Sequence, residues 1–472
     1  MKILFAASEA LPFFKTGGLG DVLGALPKTL AGSGNEVAVV MPFYKVIKAA
    51  TPDDVRYVAS IMIDLAWRHQ YCGIYTAVRD GVAYYFIDNE FYFDRPTPYG
   101  QYDDGERFAF FSKAVLEILP TVGFFPDVIH SNDWQTALIP LFYHAFFRGV
   151  SAYSGIKNVF TIHNIEYQGF CQQNFLSDVC GVPDSYYSDY EYAGCVNLMK
   201  GAITMADAVT TVSPTYAEEL RYSFYGHGLE NVIRANAHKL TGIVNGIDLK
   251  EYDPWRDKLI PHRYSVNNRA GKAKCKADLQ KELGLDVRPE PMLIAMVTRL
   301  ASHKGLDLVR AVFGELMAAD VQFVILGVGE RQYEEFFRLA EVHYPGRVKA
   351  CLQFDSALSH RIYAAADLFL MPSKAEPCGL SQMIAMRYGT VPLVRETGGL
   401  KDTVAPADNQ GNGRGFTFRT YNAHDMLDSL WRAVGVFGDK GNWAKITTAG
   451  MTYHSGWDVS AEKYLALYQK LQ

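Results

Sequence analysis

Short apolar runs alternate with helical patterns along the whole chain. In the first half such runs occupy residues 3–7, 37–40, 128–130 and 158–162. Runs that are apolar at nearly every position are typical of strands buried on both faces of a sheet. Because strands alternate with helices, the pattern predicts a doubly wound α/β fold with parallel sheets.

The pattern restarts in the second half, with apolar runs at residues 292–297, 321–326 and 368–371. Between the halves, residues 248–291 are polar and irregular. We therefore place a domain boundary near residues 245–260 and expect two Rossmann-like domains facing a deep cleft. In such sheets ligands bind at the carboxyl ends of the strands, so the loops that follow strands are the candidate sites.

Composition and charge narrow the function classes. The 472 residues, 49% of them hydrophobic, exceed one ordinary domain. The formal net charge is −5, from 46 Lys and Arg against 51 Asp and Glu. A nucleic-acid-binding surface needs clustered basic charge, which the chain lacks, and a neutral, sugar-like partner fits at least as well.

Cysteine usage and the N-terminal pattern predict a cytoplasmic protein. Seven scattered cysteines form no C-x-x-C pair, which argues against a disulfide framework or a zinc site. The first apolar run stops before Glu9, so we interpret it as a strand and not as a signal peptide. The most apolar later stretch, residues 134–147, is too short to span a bilayer, and we expect no membrane partner.

A glycine-rich loop at residues 15–21 follows the first predicted strand and leads into a helical run. Gly17 and Gly18 allow close backbone approach to a ligand, while Lys15 adds a positive charge near a helix start. The loop matches neither a Walker A motif nor G-x-G-x-x-G. An ordinary turn between strand and helix remains an equally good interpretation.

A basic loop follows the strand predicted at residues 292–297. It brings Arg299 and Lys304 together, and two cations are suited to stabilise a pyrophosphate leaving group. A solvated basic loop is the structural alternative. At the carboxyl end of a strand, we favour the functional interpretation.

The loop at residues 373–381 follows another strand and precedes an amphipathic helix. The backbone amides of Gly379, Leu380 and Ser381 are candidates for holding a phosphate. Glu376 would place a carboxylate beside that anion. The helix start, or a sugar hydroxyl that donates to the carboxylate, would offset the repulsion between the two negative charges. This placement indicates sugar binding.

Two further strand ends in the first half carry polar side chains. Asp133 offers a hydroxyl acceptor beside Trp134, an apolar platform for a sugar ring. His163 ends a strand beside Asn164; a core histidine is the alternative. The sequence has no H-E-x-x-H, no cysteine cluster and no D-x-D triplet, so we predict no metal site.

In combination these segments resemble bacterial glycogen synthases and plant starch synthases, over essentially the whole chain. The resemblance rests on K-T-G-G-L at residues 15–19, E-P-C-G-L at 376–380 and the segments that occur in order between and beyond them: 131–134, 161–164, 244–248, 299–305 and 397–400. Either named motif alone would be only suggestive, whereas the two together are highly specific.

The resemblance implies a GT-B fold and a retaining transfer of glucose from ADP-glucose to the 4-hydroxyl at the non-reducing end of an α-1,4-glucan, without a metal or other cofactor. It implies that residues 1–245 form the glucan-side domain and residues 246–455 the donor-side domain. Residues 456–472 would form a helix that crosses back to the N-terminal domain.

Residue roles follow from the resemblance as expectations. Arg299 and Lys304 would neutralise the departing pyrophosphate, with Lys15 and Gly18 holding it from the other domain. His163 would lie against the sugar. Glucose hydroxyls would be bound by Asp133, Asn245 and Glu376. The phosphate and sugar pocket would be lined by Cys378, Gly379, Leu380, Ser381 and Thr397. Phe354 would lie against adenine, and the remaining substrate contacts would be Asp21, Trp134 and Asn164.

Three alternatives stay open at this point. A related retaining GT-B transferase would use UDP-glucose or another acceptor, because donor preference depends on a few base contacts. A nicotinamide-dependent dehydrogenase has only the pair Gly327 and Gly329 in its favour. A non-catalytic glucan-binding protein is disfavoured by the presence of Lys15, Arg299, Lys304 and Glu376.

Overall fold

The computed structural model describes residues 1–50 and 53–472. The chain divides into two compact units. Unit 1 contains Met1–Asn245 together with Trp457–Gln472, and unit 2 contains Gly246–Gly456. Among the described residues, no helix is both long and apolar enough to cross a membrane.

Unit 1 is built around one large sheet with the strand order β12-β11-β7-β6-β1-β2-β5-β4-β3. From β12 to β5 all neighbouring strands are parallel. A small antiparallel sheet has the order β8-β10-β9. The strands of the unit are β1 (Lys2–Ala6), β2 (Glu36–Pro42), β3 (Arg56–Leu65), β4 (Arg68–Arg79), β5 (Val82–Asp88), β6 (Val128–Asn132), β7 (Lys157–Ile162), β8 (Phe170–Cys171), β9 (Glu191–Tyr192), β10 (Cys195–Asn197), β11 (Ala208–Thr211) and β12 (Leu240–Gly242).

At one edge of the large sheet, β3, β4 and β5 pair antiparallel, a departure from the predicted all-parallel arrangement. The cause is local: only two residues separate β3 from β4, and two separate β4 from β5. A parallel crossover needs a dozen or more residues, so connections this short impose hairpins. Ala66 and Asp80 in these turns have positive φ values of 52° and 51°.

The helices of unit 1 include several of only four to six residues. They are α1 (Gly18–Gly32), α2 (Lys45–Ala50), α3 (Glu90–Phe93), α4 (Asp104–Glu117), α5 (Leu119–Val122), α6 (Ile139–Phe142), α7 (Tyr187–Tyr190), α8 (Leu198–Met205), α9 (Pro214–Glu219), α10 (Ser223–Gly226) and α11 (Glu230–Ala235). Single turns of 3-10 or π helix occur at Trp134–Thr136, Tyr143–Phe147, Ser151–Tyr153, Leu176–Cys180, Asp184–Tyr186 and Ala237–Lys239.

Unit 2 contains a parallel sheet with the order β15-β14-β13-β16-β17-β18. Its strands are β13 (Met292–Val297), β14 (Val321–Leu326), β15 (Val348–Cys351), β16 (Leu368–Met371), β17 (Val391–Arg395) and β18 (Phe416–Phe418). Its helices are α12 (Ala270–Leu283), α13 (Leu306–Leu316), α14 (Arg331–His343), α15 (Ser356–Ala365), α16 (Ser381–Arg387), α17 (Gly398–Thr403), α18 (Ala423–Gly438) and α19 (Lys440–Thr452), and a 3-10 turn lies at Ser302–Lys304.

The core of unit 2 follows from apolar spacing. On α13 the buried residues Leu306, Val309 and Phe313 recur at intervals of three and four, so they lie on one helix face. Phe313 meets Phe323 of β14 edge-on, with ring centroids 5.2 Å apart. Each such buried side chain contributes about 1.5–3 kcal/mol to the free energy of unfolding. The predicted α/β fold class is confirmed.

The last helix, α20 (Trp457–Leu471), belongs to unit 1. Its Tyr468 is fully buried, and the Tyr468 hydroxyl lies 2.6 Å from Nδ1 of His130 on β6. The other ring nitrogen of His130 lies 2.5 Å from the Thr161 hydroxyl on β7. Burial lowers the pKa of His130 to about 3, so the ring is a neutral core group held by two hydroxyls.

Each sheet has a point where the strand order reverses. In unit 2 this point lies between β13 and β16, and in unit 1 it lies between β1 and β6. The loops after these four strands therefore diverge and leave a crevice at the carboxyl edge of each sheet. These loops carry most of the predicted chemistry, and the loop after β7, the strand next to β6, carries His163 and Asn164.

Candidate active site

In unit 2 the loops after β13 and β16 bring Lys304 and Glu376 into contact. The Lys304 ammonium donates to Oε2 of Glu376 over 2.7 Å. Gly305, with φ of +74°, permits this approach, because a Cβ at that position would lie 2.1 Å from the Pro372 carbonyl oxygen. A residue with a side chain would push the two loops apart.

Glu376 is ionised although it is only 8% exposed. Burial opposes the charge, but the Lys304 ammonium and a 3.0 Å hydrogen bond from the Ser373 hydroxyl outweigh it and lower the pKa of the Glu376 carboxyl. Both partners bind the same oxygen, Oε2. Oε1 therefore remains the oxygen that can accept a hydrogen bond from a ligand hydroxyl.

Arg299 lies at the mouth of the same crevice. Its side chain is exposed, and within the described ranges 1–50 and 53–472 its guanidinium forms no ion pair or hydrogen bond. The crevice encloses a cavity of about 200 Å³. The cavity is lined by Met296, Val297, Thr298, Arg299, Lys304, Leu370, Met371, Ser373, Glu376, Gly379, Leu380 and Ser381. Two cations, one carboxylate and a polar backbone edge thus surround one space.

The backbone around Glu376 is held by the start of α17. Gly398 has φ of +44°, and a Cβ there would lie 1.9 Å from the Glu376 carbonyl oxygen. The Gln382 side-chain amide donates to the carbonyl oxygens of Cys378 and Gly379 at 3.1 and 2.9 Å. These contacts hold the 376–381 loop in one shape.

Three predicted site residues of unit 2 do not line the cavity. Cys378 is buried beside Gly399, and a Cβ added at position 399 would lie 2.2 Å from the Cys378 carbonyl oxygen. Thr397 is fully buried immediately before α17. Phe354 is 87% exposed in the loop between β15 and α15, where its ring is open to a stacking partner.

In unit 1 the 15–21 loop is organised by Glu9, a residue that the sequence pattern did not single out. The Glu9 carboxylate accepts from the backbone N and the hydroxyl of Thr16, both at 2.5 Å, and from the backbone N of Gly17 at 3.2 Å. The Tyr99 hydroxyl donates to Glu9 over 2.7 Å. The position of Glu9, shortly after the apolar run of β1, could have identified it. A carboxylate that is buried there needs hydrogen-bond donors nearby.

The predicted phosphate-contacting residues occupy the start of α1. Lys15 pairs with Asp21 over 2.7 Å, and both side chains are about one-third exposed, at 38% and 30%. Gly18 is the first residue of α1, and a Cβ there would meet nothing within 4 Å. The loop therefore presents an open backbone edge next to the Lys15 ammonium, which is paired with Asp21.

The loops after β6 and β7 form one polar network. Asp133, with φ of 58°, accepts from the backbone N of His163 at 2.8 Å and of Asn164 at 3.4 Å. His163 Nε2 lies 2.9 Å from Oδ1 of Asn132. Burial raises the pKa of Asp133 to about 7 against those hydrogen bonds, and it lowers the pKa of His163 to about 3. At neutral pH His163 is uncharged and Asp133 is divided between its two forms.

Two further predicted residues complete unit 1. The Trp134 ring packs edge-on against Phe108 with centroids 5.2 Å apart, and Gly169 lies against its other side. Trp134 is thus half-buried rather than an open platform. Asn245 is buried, and its Oδ1 has no hydrogen-bond partner among the described residues. Such an orphaned acceptor suits a ligand hydroxyl.

The structure therefore brings together Arg299, Lys304, Glu376, Gly379, Leu380 and Ser381 in one unit, and Asp133, His163 and Asn164 in the other. Sequence reasoning missed Glu9, Ser373 and Gln382, which hold these groups in place. In the described part of the chain, no cluster of three or more His, Cys, Asp or Glu side chains is arranged to bind a metal.

Comparisons with known proteins extend over the whole chain. Residues 2–235 match the family model described as starch synthase catalytic domain, and residues 282–434 match glycosyl transferases group 1. A glycogen synthase of Geobacillus thermodenitrificans is 47% identical, covering 100% of this chain and 98% of that protein. A glycogen synthase of Bacillus anthracis is also 47% identical, with 100% of both chains covered.

A solved structure shows the same similarity in three dimensions. The catalytic domain of starch synthase IV from Arabidopsis thaliana, bound to ADP and acarbose, superposes with a TM-score of 0.91 at 34% identity. The match covers 100% of this chain and 99% of that one. Sequence and structure thus point to one family.

Proposed function

The chain belongs to the family of glycogen and starch synthases, glucosyltransferases with the GT-B fold, and we propose that it uses ADP-glucose as its donor. The transfer extends an α-1,4-glucan at its non-reducing end with retention of the α configuration. The observation that carries this proposal is the arrangement of Arg299, Lys304 and Glu376 around one cavity. The starch synthase that resembles this chain was solved with ADP, which supports the choice of nucleotide.

Arg299 and Lys304 stabilise the leaving group. When the bond between the anomeric carbon and the phosphate oxygen breaks, ADP gains negative charge and the sugar becomes oxocarbenium-like. Preorganised cations at the position where charge develops lower the barrier without reorganising solvent. The Arg299 guanidinium forms no bond with a described residue and is ready for this contact. The backbone amides of Gly379, Leu380 and Ser381 add donors for the same phosphate.

Glu376 binds a glucose hydroxyl and is not a covalent nucleophile. Retaining glycosidases use two carboxylates about 5–5.5 Å apart. Among the described residues that line the cavity, Glu376 is the single carboxylate, and its Oε2 is already occupied. We therefore favour internal return. The 4-hydroxyl of the acceptor attacks the face that ADP leaves, and its proton passes to the departing phosphate oxygen.

Unit 1 residues bind sugar and phosphate in this proposal. Asp133 and Asn245 accept hydroxyl hydrogens, and the uncharged His163 lies against the sugar with its backbone carbonyl near the anomeric carbon. Lys15 and the Gly18 amide hold phosphate, with Asp21 positioning the ammonium. The remaining assigned contacts are Trp134 and Asn164 to the glucan or glucose and Phe354 to adenine. Cys378 and Thr397 are buried behind the donor pocket, where they support the loops that form its walls.

The proposed reaction needs no metal or other cofactor, because the two cations supply the charge that phosphoryl leaving groups require. Its partners are the nucleotide sugar and a glucan, with no role for nucleic acid or membrane. We propose a cytoplasmic location. The free state of all seven cysteines is compatible with that compartment.

The test is glucose incorporation into glycogen by the purified protein, with ADP-glucose and UDP-glucose run side by side in EDTA. We expect incorporation from ADP-glucose at a clearly higher kcat/KM. Efficient incorporation from UDP-glucose would keep the mechanism and overturn the donor. Loss of activity on EDTA treatment, restored by a divalent cation, would overturn metal independence.

A further inference from the structure

Unit 2 contains a second polar cavity, which is formed by residues 257–268 and by the start of α12. It encloses about 580 Å³ and is lined by Asp257, Lys258, Ile260, Pro261, His262, Arg263, Asn268, Ala270, Gly271 and Lys274. None of these residues lines the cavity around Glu376. The volume lies within the range of small-molecule sites, about 300–1,000 Å³.

Three cations around this cavity have no ion-pair partner among the described residues. In the part of the chain that the structure describes, the side chains of Lys258, Arg263 and Lys274 form no ion pair and no hydrogen bond. Their side chains are therefore available to a ligand, and all three lie around one concave surface.

The acidic groups near the cavity are already engaged. Both oxygens of Asp257 are occupied, Oδ2 by His360 at 2.7 Å and the Tyr388 hydroxyl at 2.5 Å, and Oδ1 by a backbone amide at 2.8 Å. Asp278 lies 2.8 Å from Nε2 of His262. The first turn of α12 contains no acidic residue. Among the described residues that line it, the cavity thus has three cations against the single carboxylate of Asp257, an excess of positive charge in a chain whose net charge is −5.

We propose that this cavity binds the phosphate group of a small phosphorylated metabolite. A phosphate monoester carries about −1.5 to −2 charges at neutral pH, which matches three cations better than a single carboxylate does. A concave site on a chain of negative net charge selects against long polyanions such as nucleic acid. The buried bonds of Asp257 to His360 and Tyr388 fix one wall, so the site is formed before the ligand arrives.

The proposal does not depend on the identity of the glucosyl donor. Its test must nevertheless separate this cavity from Arg299 and Lys304, which are also expected to bind phosphate. We would titrate the whole protein with inorganic phosphate and, separately, with a hexose 6-phosphate, using calorimetry. The proteins compared are wild type, Arg299→Ala, the triple variant Lys258→Gln/Arg263→Gln/Lys274→Gln, and the matched control Lys281→Gln on the exposed side of α12. Gln keeps the aliphatic stems, so folding is preserved.

We expect the triple variant to bind at least about tenfold more weakly than wild type, because it lacks three charge-assisted contacts. Arg299→Ala and Lys281→Gln should retain this binding, and the triple variant should retain glucosyl transfer. Tighter binding of the hexose phosphate would identify an organic ester as the ligand, and equal binding would identify free phosphate. The proposal is overturned if wild type binds neither probe, or if the triple variant binds both probes as tightly as wild type; loss of binding in Arg299→Ala would then place the phosphate at the Glu376 cavity.

Discussion

Arg299 and Lys304 carry the same formal charge in different surroundings. Arg299 is exposed and unbonded within the described residues, whereas Lys304 is bonded to the buried Glu376 over 2.7 Å. Removing the Arg299 side chain breaks no bond within the described residues. Removing the Lys304 side chain leaves the buried Glu376 carboxylate without its ion-pair partner. The two positions therefore separate leaving-group stabilisation from structural support.

We predict that Arg299→Ala and Lys304→Ala both lower kcat by about 10²–10³-fold, the usual loss for one group that stabilises developing negative charge. Only Lys304→Ala should also lower stability, because breaking a buried pair costs about 3–5 kcal/mol. Steady-state kinetics and thermal unfolding measure the two effects. Arg331→Ala, on an exposed helix of the same unit, is the control. Wild-type turnover in either variant would remove these residues from the mechanism.

Asp133→Asn tests the raised pKa of the Asp133 carboxyl. The pKa lies at about 7 in the folded protein against an ordinary 3.8, so folding takes up a proton at intermediate pH. Relative to the variant, the wild-type protein should lose free energy of unfolding as the pH rises from about 4 to about 7, by roughly 4 kcal/mol at most, of which roughly 3 kcal/mol falls above pH 5. Urea unfolding of both proteins at pH 5 and pH 8 measures this. Parallel pH dependence in the two proteins would contradict the assignment.

At the scale of elements, both candidate sites sit on loops that follow strands at a reversal of strand order. Sequence reasoning found these loops because glycines and charges directly after apolar runs are visible locally. It missed the groups that hold the loops, since the Thr16–Glu9 contact depends on how the chain turns after β1. It could not give the exposure of the Trp134 ring, because that exposure depends on a tertiary partner, here Phe108.

The 15–21 loop should depend on Glu9 for its shape. Glu9→Gln replaces a charged acceptor with a neutral amide, whose NH2 group cannot accept from the Thr16 backbone N. Hydrogen bonds to charged groups contribute about 1.5–3 kcal/mol, so the free energy that holds the loop in place should fall by about that amount. We expect faster hydrogen exchange at the amides of Thr16 and Gly17 and a fall in kcat/KM of about tenfold or more.

The control is Glu36→Gln, an exposed carboxylate of the same unit that pairs with Lys2 at 3.4 Å. It should change neither exchange at Thr16 nor kcat/KM. Unchanged exchange at Thr16 and Gly17 in Glu9→Gln would show that the loop keeps its shape without this carboxylate.

At the scale of the whole molecule, the chain leaves unit 1 after Asn245 and returns to it at Trp457. Unit 1 is therefore incomplete until the last helix has been synthesised. The apolar pattern indicated the helix, and the family resemblance led us to expect its return to the N-terminal domain. Neither indicated the contact between His130 and Tyr468, which spans 338 residues. Long-range pairing of this kind is set by topology and cannot be read from spacing alone.

The contribution of α20 is testable with Tyr464→Ala/Tyr468→Ala. Both rings are fully buried, and truncating large core side chains costs about 3–5 kcal/mol each. That total is comparable with the entire stability of many domains, about 5–15 kcal/mol. Hydrogen exchange should therefore accelerate in β1 and β6 of unit 1, where His130 also loses its hydroxyl partner, while β13 and β14 of unit 2 keep their protection. Lys463→Ala/Lys470→Ala, on the exposed face of the same helix, should leave both units unchanged. Equal acceleration in the two units would mean that they unfold as one, and unchanged exchange in β1 and β6 would mean that unit 1 is complete without this helix.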